Sequence, residues 1–323
     1  MKLLLILAVG LLSFANGAND NFKGVATLWG AGLATLRQAL AWATNFTILG
    51  SLAAIWLGSG LAAKFNGTTL LPQNISSQLP FLTAVALSAG ATVLLAARLA
   101  LPISTTHSIA GALVGAGVSA AGSSYALVAD WAKGIILALL FSSLIASALT
   151  VSIQALAIKF RGPSGTRDCI CIGESKPLAI AAVPTMFSSL AVPASMCWAP
   201  AGECDTGEEI VRLDIVKGIH WLSSAAISFA RGLNDTPKIA AVLFVGTAAA
   251  VKLDYLFAAL AIAAGGLLAT HLKSGSIFGI GLLRRHEADR SKVREILLSW
   301  VATLPLAAIL ALASYQLLAR WRL

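Results

Sequence analysis

The stretch Gly17-Ala18-Asn19-Asp20-Asn21-Phe22-Lys23 recurs as Gly232-Leu233-Asn234-Asp235-Thr236-Pro237-Lys238. Both copies read Gly-x-Asn-Asp-x-x-Lys and place an amide, a carboxylate and an ammonium inside otherwise apolar sequence. A charge in hydrocarbon costs at least about 2.5 kcal/mol, so a charged side chain within a membrane segment marks a functional candidate facing a partner or a wet cavity. Two matching copies point to a duplicated unit. Glycine beside each Asn-Asp pair, with Pro237 in the second copy, predicts helices broken at those positions, as in transporters whose half-helix ends bind ions and substrate.

The sequence around the two copies sets the class. Of the 323 residues, 58% are hydrophobic and 11% charged, and the mean hydropathy is +0.83. That excludes an ordinary soluble domain and specifies an all-α polytopic protein of the lipid bilayer. The net charge of +9 does not indicate nucleic acid, because the basic residues gather in hydrophilic gaps such as Arg284 to Arg294 and at the C-terminus. Anchoring on the cytoplasmic side of the cell inner (cytoplasmic) membrane accounts for them. Met1 to Val9 has the build of a signal peptide, one lysine followed by a short apolar run. Cleavage there would separate the first motif from half of its helix. Residues 3–14 therefore read as the first half of a discontinuous membrane helix, and 22–36 as its continuation.

Apolar stretches follow at about 42–63, 81–101 and 131–158, each long enough to span a bilayer. Residues 64–80 between the first two are polar, and Asn66-Gly67 and Pro72 mark a loop. Residues 159–217 change character, holding half of the acidic residues and all four cysteines. Later spans are expected at 219–251, 255–283 and 296–318. This divides the chain into a first membrane repeat (1–158), an inter-repeat loop (159–217) and a second, shortened repeat (218–323). Within the loop, 178–192 is apolar but short, as in an interfacial or packed helix.

A second internal match supports duplication: Thr106-His107-x3-Gly111-x3-Gly115-x-Gly117 against Thr270-His271-x3-Gly275-x3-Gly279-x-Gly281. The second copy lacks about one hairpin of membrane sequence between its aspartate and its histidine. The glycine runs read as close-packing surfaces between helices.

Each motif has a functional and a structural reading. Lys23 and Lys238 stand three residues after Asp20 and Asp235, a spacing at which each lysine could simply neutralise its aspartate. An isolated buried pair gains little net stability, however. In the functional reading Asp20 and Asp235 ligate a hard cation such as sodium, with amide oxygens from Asn19 and Asn234 and main-chain carbonyls at the helix break. Lys23 and Lys238 then offset the carboxylates or draw in an anion. If each ammonium fills space that sodium would occupy, coupling shifts toward protons.

The run Leu101-Pro102-Ile103-Ser104-Thr105-Thr106-His107 puts hydroxyls just after a proline. That places Ser104, Thr105 and Thr106 at a helix N-terminus, where main-chain N–H groups and hydroxyls favour an anion. Hydroxyls that merely bond back to their own helix are the structural alternative. A hydrolase with a Thr or Ser nucleophile beside His107 is poorly served, since adjacent helical residues do not face each other. Cys169, Cys171, Cys197 and Cys204 fit no familiar zinc spacing and read as free thiols or a soft-metal site.

These residues resemble the inorganic phosphate transporter family, which includes sodium- or proton-coupled phosphate carriers and some sulfate permeases. Gly17-Ala18-Asn19-Asp20 is similar to its repeated Gly-Ala-Asn-Asp signature, and Leu101 to His107 to its Pro-x-Ser-Thr-Thr-His segment. The resemblance implies two inverted repeats, each with a broken helix and a re-entrant hairpin, around a midplane site for phosphate and sodium. By that match Asn19, Asp20, Asn234 and Asp235 belong to the cation sites. Ser104, Thr105 and Thr106 contact the anion, with Thr270 the remnant of a second hydroxyl set.

The function expected is secondary active transport of an inorganic oxyanion, phosphate first and sulfate second, with sodium or protons as coupling ion and no other cofactor. A passive channel and a non-transporting, truncated membrane protein are the rivals. The sequence leaves the oligomeric state open, a homodimer included.

Overall fold

The computed structural model describes residues 1–99, 101, 103–121, 125–160, 169–174, 194–199, 209–244, 251–268 and 290–320. Helix α1 spans Lys2–Asp20, a Leu- and Ala-rich run of good helix formers. Past Asp20 the α-helix tightens into a single 3-10 turn, Asn21–Gly24, followed by the short helix α2, Ala26–Gly30. The break expected in the first motif is therefore present. Its second half is shorter than 22–36, because the chain turns at Gly32 (φ +72°), a left-handed conformation that glycine adopts without a Cβ penalty. A capping box between Thr35 and Gln38 then starts α3, Leu36–Leu57.

Two short helices, α4 (Ser59–Phe65) and α5 (Gln73–Ser76), carry the chain to α6, Leu79–Arg98. Pro80 sits in the first turn of α6, where its missing N–H leaves no helical bond unmade. Helix α7 spans Thr105–Ala121 and α8 spans Tyr125–Phe160. Beyond them come α9 (Ile215–Phe244), α10 (Val251–Leu268) and α11 (Arg290–Arg320). Among the described residues, four helical stretches are long and apolar enough to cross a bilayer: Lys2–Gly24, Leu36–Leu57, Leu79–Arg98 and Val301–Arg320.

The expectation of a break at the second motif is not met, since α9 runs through Asn234, Asp235 and Pro237 without interruption. Pro237 lacks the N–H that would bond to the Leu233 carbonyl. Burial keeps the helix continuous through that gap, for Thr236 and Lys238 to Leu243 are all at most 5% exposed. Neighbouring helices commonly make proline tolerable in membrane helices in this way.

The helical class expected of the membrane body holds. In addition, three short strands lie between α8 and α9: β1 (Cys169–Glu174), β2 (Ala194–Ala199) and β3 (Glu209–Asp214). They pair antiparallel in the order β2-β1-β3, with Cys171 opposite both Cys197 and Arg212. Residues 178–192, Cys204, Thr270 and the glycines 275–281 lie outside the described residues.

The chain divides into two compact units, residues 1–142 with 224–323, and residues 143–223. In the first, α1 packs on α6 and α10, α10 packs on α3, and α11 runs along α7 and α6. The α7–α11 contact is close because Gly111 and Gly115 have no side chain. A Cβ on Gly115 would lie 1.9 Å from the Ala308 carbonyl oxygen, the small-residue packing that glycine spacing predicts. The second unit holds the end of α8, the sheet and the start of α9. Along α8, Leu144, Ile145, Leu149, Ile153 and Leu156 are all more than half exposed, as suits a face turned to acyl chains.

Candidate functional site

The first motif ends α1 in a wholly buried stretch, Ala15 to Asp20. Its glycine permits this, since a Cβ on Gly17 would fall 1.9 Å from the Ile262 carbonyl oxygen of α10. The glycine of the second motif does the same on α9, where a Cβ on Gly232 would fall 2.1 Å from the Thr47 carbonyl oxygen of α3. Helices that approach this closely bring their polar side chains together. The shared Gly-x-Asn-Asp pattern is thus a packing device that delivers two carboxylates to one place.

At the break after α1, both oxygens of Asp20 are engaged. Oδ1 accepts from Asn19 Nδ2 at 2.8 Å and from Lys23 Nζ. Oδ2 lies 3.4 Å from Arg231 Nη2 and 3.3 Å from Thr105 Oγ1. The main-chain carbonyl of Ile103, two residues before α7, accepts from Lys23 Nζ at 2.7 Å and from Asn19 Nδ2 at 3.1 Å. Helix α7 begins at this point, as the sequence predicts, with Ser104 Oγ accepting from the His107 N–H at 3.5 Å. Thr105 donates to Asn16 Oδ1 at 2.6 Å.

The second motif meets the same helix start. Lys238 Nζ donates to Thr106 Oγ1 at 2.7 Å and stands 3.7 Å from Asp235 Oδ1. It also lies 5.7 Å from the centroid of the Phe65 ring, close enough for a cation–π contact. The Thr106 hydroxyl is thus engaged by Lys238 and not by His107, whose Nδ1 is buried without a partner among the described residues. That geometry gives no Thr–His nucleophile pair.

Between α1, α3 and α9 lies a small pocket lined by Asn16, Asn21, Thr47, Arg231, Asp235 and the two motif glycines, with Ile262 closing it. Asn21 Nδ2 donates to Thr44 Oγ1 at 2.9 Å, and Thr47 Oγ1 to the Ser228 carbonyl at 3.3 Å, so the polar lining is held by buried bonds.

The structure therefore gathers Asn19, Asp20, Lys23, Thr105, Thr106, Asp235 and Lys238, with Ser104 serving as the cap of α7. Asn234 stands apart, exposed on α9, its Nδ2 donating to Asp235 Oδ1 at 3.2 Å. Thr270 lies outside the described residues. Sequence reasoning missed Asn16, Asn21, Thr47 and Arg231. Arg231 carried a usable signal, being a charge in an apolar run directly before the motif glycine. Thr47 carried none, because a lone hydroxyl in an apolar helix is usually bonded to its own backbone.

Comparison with known proteins identifies the family and the fold. The sequence pattern of the Phosphate transporter family matches residues 16–269. A relative from Thermococcus kodakarensis, named "Putative phosphate permease", is 24% identical, with 98% of this chain and 97% of the relative covered. That alignment runs to 403 positions, more than this chain holds, so the relative carries residues with no counterpart here. A protein of the same name from Helicobacter pylori is 39% identical over 126 residues, covering 35% of this chain and 22% of the relative. A solved structure titled "The sodium-dependent phosphate transporter" has the same fold, with TM-score 0.68, 17% identity and 99% of both chains covered.

Proposed function

The chain belongs to the phosphate transporter family, and on that premise we propose that it is a secondary active transporter of inorganic phosphate in the cytoplasmic membrane, coupled to downhill movement of sodium or protons. The observation that carries this reading is the convergence of both motifs on the start of α7. Thr105 touches Asn16 and Asp20 of the first motif's helix, and Thr106 touches Lys238 of the second. A helix N-terminus favours negative charge through its free N–H groups and dipole. Here it is joined by a guanidinium, Arg231, whose planar fork suits a tetrahedral oxyanion. The pocket beside them holds this guanidinium and an Asp carboxylate in a buried, hydroxyl-bearing wall.

In this reading Ser104, Thr105 and Thr106 present the anion-binding helix end, and Lys23, Lys238 and Arg231 supply positive charge. Asp20 and Asp235, with Asn19, sense the coupling cation, and Thr270 completes the hydroxyl set. Two helix bundles related as inverted repeats would rock about this point, as in other secondary transporters.

The test is uptake of radiolabelled phosphate by proteoliposomes against its own gradient, under an imposed inward sodium or proton gradient. The native chain accumulates phosphate and Asp20→Asn does not. Downhill flux alone, untouched by the substitution, indicates a channel. Inhibition by sulfate as strong as by unlabelled phosphate indicates a general oxyanion permease.

A further inference from the structure

We propose that Lys23 and Arg231 are tethered counter-cations that fill the position beside Asp20 that a sodium ion would need, so that the site binds its oxyanion without sodium. The inference rests on the phosphate reading above and names the cation of that same site.

A hard cation seeks carboxylate and main-chain carbonyl oxygens gathered at a helix break. Asp20 Oδ1 and the Ile103 carbonyl are such a pair, and the Lys23 ammonium already bridges them. Asn19 turns its Nδ2, a donor, toward the same two oxygens, so its amide adds no ligand between them. The other carboxylate oxygen, Oδ2, faces the Arg231 guanidinium and the Thr105 hydroxyl. Every oxygen of Asp20 thus meets a donor that is part of the chain.

The arrangement follows from local sequence. The 3-10 turn after Asp20 folds Lys23 back over the carboxylate three residues earlier. Helix α9 brings Arg231 in from the opposite side, immediately before the glycine that allows its close approach to α3. On the second motif the pattern repeats in part, since the Lys238 ammonium stands between Asp235 and the Thr106 hydroxyl. Two carboxylates, Asp20 and Asp235, therefore face three cationic groups, Lys23, Arg231 and Lys238. One positive charge remains. A sodium ion would add to that excess beside an ammonium, whereas a singly charged oxyanion neutralises it.

The experiment measures radiolabelled phosphate uptake under one imposed proton gradient, with sodium present or replaced throughout by N-methylglucamine. The native chain is expected to give rates within twofold in the two media. Lys23→Ala, which opens the position between Asp20 and the Ile103 carbonyl, is expected to lose at least tenfold without sodium and to regain most of it when sodium is added. Lys23→Arg keeps the charge and is expected to remain indifferent to sodium. Phosphate binding to the purified, solubilised chain, read as a thermal shift with and without sodium, gives the same comparison for any variant too slow to assay. A tenfold or greater loss of native uptake on removing sodium overturns the inference while leaving phosphate transport intact. So does Lys23→Ala that stays indifferent to sodium at the native rate. Absence of both uptake and binding in every medium overturns the phosphate reading itself and the inference with it.

Discussion

Arg231, on α9, reaches Asp20 at the end of α1, its Nη2 3.4 Å from the carboxylate Oδ2. The pair ties the two motifs together at a place where both side chains are largely buried. Breaking one partner of a buried pair costs about 3–5 kcal/mol, because the charge left behind is uncompensated. Asp20→Ala is therefore expected to lower the thermal midpoint of the solubilised protein by several degrees. Adding Arg231→Gln to it is expected to recover part of that loss. Strictly additive losses in the double variant would show that the two groups do not share an interaction.

Thr106 is the acceptor that Lys238 uses on α7, at 2.7 Å. Leaving a buried ammonium without its acceptor costs about 1–3 kcal/mol. Thr106→Val, which keeps the shape, is expected to lower the thermal midpoint and to reduce phosphate uptake at least tenfold, while Thr106→Ser stays close to native in both. Equal behaviour of the Val and Ser variants would remove this hydroxyl from the account.

The motif glycines make a steric prediction. A Cβ at Gly17 or Gly232 would overlap a main-chain oxygen of the facing helix, and overpacking of this kind costs about 1–3 kcal/mol. Gly17→Ala and Gly232→Ala are expected to destabilise the protein in thermal unfolding. Gly134→Ala, on α8 with no atom within 4 Å of its Cβ position, is the control. It should be neutral or slightly stabilising, since alanine is the better helix former. Indifference at Gly17 and Gly232 would contradict the close crossing of α1 with α10 and of α3 with α9.

The same α3–α9 contact includes a buried hydroxyl pair, Thr236 Oγ1 donating to Ser51 Oγ at 2.7 Å. Interhelical bonds of this sort contribute about 0.6 kcal/mol on average. A double-mutant cycle with Ser51→Ala and Thr236→Val is expected to return a coupling of that size. A coupling of zero would mean that glycine packing alone sets the contact.

Much of this was legible in the chain because charges are costly in hydrocarbon and so stand out. Asp20, Lys23, Asp235 and Lys238 announced themselves in that way, and proline followed by hydroxyls located the start of α7. The break at the second motif was misjudged. Pro237 removes one helical bond, but the buried run Ile239 to Leu243 keeps α9 continuous, and burial of that kind depends on partners that local sequence does not name. The β1–β3 sheet was missed for a related reason. Cys169–Glu174 reads Cys-Ile-Cys-Ile-Gly-Glu, with no alternation of apolar and polar residues, so no strand period registers. Asn234 was grouped with Asn19 by the repeat, yet a continuous helix turns it outward while the broken one turns Asn19 onto Asp20 and Ile103.

The oxyanion is proposed to bind where the two motifs meet the start of α7, beside the pocket whose wall holds Thr47. The measurement is the rate at which a maleimide alkylates Thr47→Cys, introduced after replacing the four native cysteines with serine, with and without phosphate. Phosphate is expected to slow labelling severalfold, whereas chloride at equal ionic strength is not. A labelling rate unchanged at phosphate concentrations that saturate uptake would contradict that placement.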